Sequence, residues 1–282
     1  MRLDTALRLG RVSNLPTVWT NTLAGAVLAG AGALGPRFGV ALVAFSLFYT
    51  GGMFLNDAFD ARIDARERPE RPIPSGQVAA REVFAWGFGL MATGIVLLGT
   101  IGTGPAVAGL TLAAAITFYD WNHKRNPLSP VVMGFCRMLV YAGAALCYTS
   151  LFPPQLLTGS ALMLCYLIGL TYIAKQENLS RVENLWPLAF LAVPVLYGAW
   201  LIAPAPLAAP FWVLFCGWMA LALWLLRRRR RGDIPRAVVS LIAGISLLDA
   251  LLIAASGLPG FALAALAGFG VTLFFQRYIA GT

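Results

Sequence analysis

One dense run in the chain is suited to holding a metal ion and the anion it binds. Asn56, Asp57, Asp60 and Asp64 are followed by Arg68, Pro69, Arg71, Pro72, Pro74, Ser75 and Gly76. Asn56, Asp60 and Asp64 are spaced four apart, so on a helix they stack on one face, with Asp57 one turn before Asp60. Carboxylates placed like this repel one another, and that cost makes sense if a divalent cation sits among them. Oxygen ligands that include carboxylates select Mg²⁺ when substrate phosphates complete the octahedron. A solvated loop whose acids merely pair with its arginines would need no such ladder directly after an apolar run. The three prolines then end the helix and fold the basic segment back.

A second cluster reads Tyr119, Asp120, Trp121, Asn122, His123, Lys124 and Arg125, then Asn126 and Pro127. Bases dominate it. Lysine as a mobile point charge and arginine as a bidentate fork suit a diphosphate whose other oxygens are on Mg²⁺. Taken alone, Lys124 and Arg125 read equally well as contacts to anionic lipid. Arg137 follows about three helical turns later, inside an apolar run, where an arginine is rare and usually faces a cavity. Asp249, near the middle of another apolar run, must be neutral, paired or lining a wet cavity. His123, the only histidine, reads as an exposed titrating side chain. The run from Arg227 to Arg231 reads as an interfacial or lipid-contacting anchor.

The elements that must position these residues are helices in a membrane. Of 282 residues, 59% are hydrophobic and 12% charged, about half the charge of a soluble protein. Apolar runs fall near 14–33, 38–55, 82–101, 104–119, 130–150, 155–174, 187–203, 207–226, 237–255 and 259–276. Gly257, Pro259 and Gly260 mark either a turn between the last two runs or a break within one unit, so nine or ten spans are expected. All 21 basic residues except Arg37 fall on one side of this layout. The positive-inside rule therefore puts the N-terminus and both clusters in the cytoplasm, with a bacterial inner membrane as the expected location. Asp4 and the polar approach to Leu15 favour a retained first helix over a secretory signal. The expectation is an all-α bundle, one integral-membrane domain over 1–282, around a central cavity open to the cytoplasmic face.

Cys136, Cys147, Cys165 and Cys216 lie in apolar runs without metal spacing and read as small buried hydrophobes. The net charge of +9 is a topology signal rather than a nucleic-acid footprint. A secondary transporter would place several coupling charges near the midplane, often in two similar halves. This chain has one midplane acid and no internal repeat.

The match Asn56-Asp57-x-x-Asp60-x-x-x-Asp64, with the turn Arg71-Pro72-Ile73-Pro74-Ser75-Gly76, resembles the UbiA superfamily of intramembrane prenyltransferases. Tyr119 with Lys124 and Arg125 resembles that family's tyrosine-to-Lys-Arg loop, one residue longer, and the segment from Arg11 to Trp19 resembles its first-helix entry. The run from Ala65 to Pro72 is similar to a divergent branch of which EboC is an example, so ubiquinone synthesis does not follow. The family usually carries a second DxxxD motif after the sixth span. Here Glu177 and Glu183 are the only acids of that loop, and Glu177 is the candidate remnant.

The resemblance implies Mg²⁺-dependent transfer of an isoprenyl group from an isoprenyl diphosphate to a small, aromatic acceptor within the bilayer. Asn56, Asp57, Asp60, Asp64 and Glu177 would hold metal, with Asn56, Asp60, Asp64 and Lys124 as the catalytic set. Arg71, Lys124, Arg125 and Arg137 would take the diphosphate, and Tyr119, Trp121 or Tyr172 would shield an allylic cation. A terpene cyclase would use the same diphosphate site without an acceptor, and the sequence does not separate the two.

Overall fold

A computed structural model describes residues 1–124, 126–175 and 186–279, and among them every regular element is helical. The short α1 (Leu3–Leu9) and a 3-10 turn (Val12–Asn14) lead into α2 (Pro16–Leu28), α3 (Pro36–Glu67), α4 (Ala80–Ile101) and α5 (Thr103–Asn122). Then come α6 (Ser129–Leu146), α7 (Pro154–Lys175), α8 (Pro187–Leu201), α9 (Ala209–Arg228), α10 (Asp233–Ala255) and α11 (Pro259–Phe275). Proline stands in the first turn of α2, α3, α6, α8, α9 and α11, where its missing N–H costs no intrahelical bond.

Each expected apolar run contains a helix. Among the described residues six helices are long and apolar enough to cross a membrane, including α3, α4, α6, α7 and α10, while Leu188–Leu201 and Pro259–Phe275 are shorter. The first run, expected to reach residue 33, ends as a helix at Leu28. Gly30 there takes a left-handed φ of 93°, and the Ala31 N–H donates to the Ala26 carbonyl, the closing bond of a glycine cap. Gly257, at φ 80°, turns the chain between α10 and α11, so the last two runs are separate helices.

α3 is the element that makes the site. Its 32 residues rise about 48 Å, well beyond the roughly 30 Å of a bilayer core, so its last turns carry Asn56 to Glu67 past the apolar section. Its long contact with α4 is glycine-mediated, because a Cβ on Gly51 would sit 2.7 Å from the Gly87 carbonyl oxygen. α10 lies at the centre, packed by α2, α7, α9 and α11, with 83% of its most apolar stretch inside the protein against 22% for α4. A helix so enclosed can hold a carboxylate, Asp249, away from lipid.

Candidate active site

The turn after α3 folds the basic segment back, as the prolines require. Backbone bonds from Ser75 to the Arg71 carbonyl and from Gln77 to the Pro72 carbonyl close it, and Gly76 supplies a φ of 75°. The Ser75 hydroxyl also donates to the Arg71 carbonyl at 2.7 Å. Arg71 is thereby fixed beneath the ladder, where its Nη1 reaches Asp64 Oδ2 at 2.7 Å and Asp57 Oδ1 at 3.3 Å. Asp57 Oδ1 also accepts from Arg11 Nη2 at 2.9 Å, and the same nitrogen lies 3.4 Å from Asn56 Oδ1. Arg11 has a left-handed backbone, φ 42°, unusual for a residue with a side chain, at the turn between α1 and the 3-10 turn.

Lys124 Nζ and His123 Nε2 close on Asp60 Oδ2 from the other side, at 3.2 and 3.4 Å. The two sequence clusters therefore meet. His123 corrects the sequence expectation: its side chain is only 12% exposed, is stacked on Tyr119, and faces Asp60 rather than solvent. Asp120, just past the apolar run of α5, is 3% exposed. Its Oδ1 accepts from Asn56 Nδ2 at 3.1 Å, while Oδ2 is buried without a hydrogen-bond partner among the described residues. Burial pushes its carboxyl well above the usual carboxylate range.

A cavity of about 300 Å³ opens beside this cluster. Asn56, Asp60, Arg71, Tyr119, Lys124 and Arg137 line it, as do Arg11, Asp120 and His123, which the sequence did not single out as site residues. Its walls are otherwise apolar, with Phe45, Phe48, Leu112, Val140, Leu167 and Ile245 among them. Asp57 and Asp64 are buried behind the lining, against Arg71.

Two aromatic candidates are not part of the lining. Trp121 lies two residues beyond Tyr119 on α5, about 200° around the helix, so it is 69% exposed and lines a separate groove with Phe59, Phe88 and Phe118. Tyr172 donates to the Pro127 carbonyl at 2.8 Å and packs its ring edge-on against Trp186. Arg125, Glu177 and Glu183 lie outside the described residues.

Among the described residues no three acidic, histidine or cysteine side chains converge as a metal cage, because basic side chains already bridge the carboxylates. The donor set nonetheless suits Mg²⁺. It is all oxygen, from Asn56, Asp60 and the unpartnered Asp120 Oδ2, and Mg²⁺ needs only one or two carboxylates when phosphate and water complete its shell.

Arg137 belongs to a second, deeper polar network. Its Nη1 donates to Asn21 Oδ1 at 2.7 Å and its Nη2 to Thr17 Oγ1 at 3.2 Å, both on α2. Asn21 Nδ2 in turn donates to Asp249 Oδ2 at 2.7 Å. The fully buried Asp249 also accepts from Thr20 Oγ1 at 2.6 Å and from the Tyr141 hydroxyl. Of the alternatives left by the sequence, Asp249 is therefore paired by neutral donors, and it does not line the cavity.

The sequence profile of the UbiA prenyltransferase family matches residues 18–242. A digeranylgeranylglyceryl phosphate synthase of Methanopyrus kandleri is 32% identical over 127 residues, 45% of this chain and 46% of that protein. The enzyme of the same name from Sulfolobus acidocaldarius is 30% identical over 131 residues, 46% of this chain and 47% of that protein. The chain thus spans less than half the length of these relatives. Among solved structures, the apo form of a UbiA homolog from Aeropyrum pernix K1 superposes with a TM-score of 0.65 at 17% identity, covering 90% of this chain and 98% of that one. A UbiA homolog from Archaeoglobus fulgidus bound to GPP and Mg²⁺ gives a TM-score of 0.58 at 13% identity, covering 93% and 99%. At such identities the likeness is one of fold. The family match runs from α2 into α10, across most of the molecule including both polar clusters, and the chain belongs to the UbiA prenyltransferase family.

Proposed function

We propose that this integral membrane protein transfers an isoprenyl group from an isoprenyl diphosphate to an acceptor held in the same cavity. The observation that carries this reading is the convergence of two chain segments at the cavity. There Asn56, Asp60 and Asp120 face Arg11, Arg71 and Lys124 above apolar walls. A diphosphate needs cations and a metal, its isoprenyl tail needs hydrocarbon, and this arrangement supplies both side by side. The Archaeoglobus fulgidus homolog with GPP and Mg²⁺ supports the choice of donor and metal.

Asn56 and Asp60 would hold Mg²⁺, with Asp120 as a further oxygen donor. When bound, the ion supplies positive charge to the leaving diphosphate as the carbon–oxygen bond breaks. Lys124 and Arg71, which now balance Asp60 and the Asp57–Asp64 pair, would turn to the diphosphate oxygens, and Arg125 belongs to the same basic segment. Asp57 and Asp64 would hold Arg71 in position. The ring of Tyr119, in the lining, would shield the allylic cation, and the apolar walls would keep water from it. Glu177 retains its role as candidate carboxylate for a second metal.

Two acceptor classes follow from the comparisons and the sequence. The relatives' names indicate a glyceryl phosphate, while the family resemblance indicates an aromatic ring. Incubation of the purified chain with a panel of isoprenyl diphosphates, with and without each acceptor class, is the deciding experiment. Prenylated acceptor formed only with Mg²⁺ or Mn²⁺, and lost in Asp60→Ala, is the expected result. Release of a cyclic hydrocarbon without acceptor would replace transfer by cyclisation, and metal-independent turnover in Asp60→Ala would overturn the site.

A further inference from the structure

We infer that Arg137, which the family resemblance would assign to the diphosphate, is instead a specificity residue for the acceptor, reading an anionic group on it at the deep end of the cavity. The inference rests on the prenyl-transfer reading for the reaction, but its geometry is separate from the diphosphate cluster.

Arg137 lines the cavity from α6, within an apolar run, yet no carboxylate lies within ion-pairing distance of it among the described residues. Among the described residues its hydrogen bonds go to neutral oxygens, Asn21 Oδ1 and Thr17 Oγ1, on the α2 side. A guanidinium carries five N–H donors in a planar fork, so two such bonds leave donors for the cavity. Holding the charge so deep in a membrane protein is costly. The cost is offset through Asn21, whose amide accepts from Arg137 and donates to Asp249. Asp249 is in turn fixed by Thr20 and Tyr141. Asn21 can face only one way between a cation and a carboxylate, so the fork is held in a fixed pose by three helices, α2, α6 and α10. That is more structure than a packing arginine requires.

The diphosphate has its own cations, Arg11, Arg71 and Lys124, bound to the ladder. Among the described residues the Arg137 network meets that group through the backbone of Asn14, whose carbonyl accepts from Thr17 Oγ1 at 2.7 Å and whose N–H donates to the Arg11 carbonyl at 3.0 Å. Between them lies Tyr49, whose hydroxyl donates to the Arg11 carbonyl and whose ring centroid is 5.9 Å from the Arg137 guanidinium carbon. A fixed cation beside a forming allylic cation raises its energy, so Arg137 helps the reaction only by engaging an anion. The anion not already provided for is one on the acceptor. A phosphate monoester and a carboxylate both match the fork.

The test uses the full chain in lipid nanodiscs and two matched pairs of probes. One pair is geranylgeranylglyceryl phosphate and geranylgeranylglycerol, and the other is 4-hydroxybenzoate and phenol. In the unaltered protein, the acidic member of one pair should bind at least about tenfold more tightly than its neutral partner, as expected for charge-assisted hydrogen bonds. The pair showing the preference identifies the anion as phosphate or carboxylate. Equal binding within both pairs, or no binding of any probe, overturns the inference without recourse to a variant. Arg137→Gln should erase the preference and Arg137→Lys should retain part of it, while binding of geranyl thiodiphosphate with Mg²⁺ stays within about twofold. A parallel loss of thiodiphosphate binding in Arg137→Lys would assign the residue to the donor and overturn the inference. Failure of the unaltered chain to bind thiodiphosphate would instead refute the donor site, leaving the acid preference as a separate result.

Discussion

Asp64 is 2% exposed and rests on Arg71, which also reaches Asp57. Removing Arg71 would leave two buried carboxylates short of a donor, at a cost of roughly 2 kcal/mol of stability. Arg71→Ala should therefore lower the unfolding midpoint in detergent. Adding Asp64→Asn should recover part of the loss, so the double variant is less destabilised than the sum of the single ones. Strictly additive values would mean that the pair is not coupled. The Asn56–Asp60–Asp64 ladder was legible because its residues lie on one helix, where spacing is geometry. Arg11 was not, because it comes from a turn 45 residues before Asn56 and is brought there only by packing. Asp120 was masked by its neighbours in a basic string, yet its contact with Asn56 spans 64 residues. His123 was misread for the same reason, since a charged surrounding in sequence did not reveal the Tyr119 ring and the Asp60 carboxylate that enclose it.

At the scale of elements, the loop carrying Lys124 is held by a clamp from another helix. Lys175, the last residue of α7, donates through Nζ to the carbonyls of His123 and Asn126 and to Ser129 Oγ, at 3.1, 3.0 and 2.8 Å. Among the described residues its hydrogen-bond partners are neutral oxygens, so its bonding there is to dipoles. Lys175→Ala should release residues 123–129, raising the KM for the diphosphate several-fold with a smaller fall in kcat. Hydrogen exchange would show faster opening confined to that loop. Unchanged exchange there would refute the clamp. The sequence predicts a cytoplasmic junction at this point but not which backbone the lysine ties, because carbonyl acceptors carry no residue signature. By contrast, α3 running past its apolar section and the proline turn that follows were readable, since both are consequences of local chemistry.

For the molecule as a whole, the charge asymmetry predicts orientation: a reporter fused after Gly76 should be cytoplasmic, and one inserted near Pro153 should not. The reverse pattern would put the diphosphate site on the wrong side of the membrane for the proposal. That the apolar runs are helices was readable from hydropathy, and the cavity was not, because its walls are assembled from α2, α3, α5, α6, α7 and α10. The Asp249 network also orders events during synthesis. Thr20 and Asn21 leave the ribosome 229 and 228 residues before their acceptor, Asp249, exists. At about 5–20 residues per second, α2 waits roughly 10 to 50 seconds for that partner. Arg137 arrives about midway, so a half-made chain holds a membrane-embedded cation bonded only to α2, and Asp249, the far end of its network, enters later, on the helix at the centre of the bundle. Insertion of α10 is thus the step that completes the Arg137–Asn21–Asp249 network, and a ribosome stalled before it would present quality-control proteases with an arginine inside the membrane whose network is unfinished.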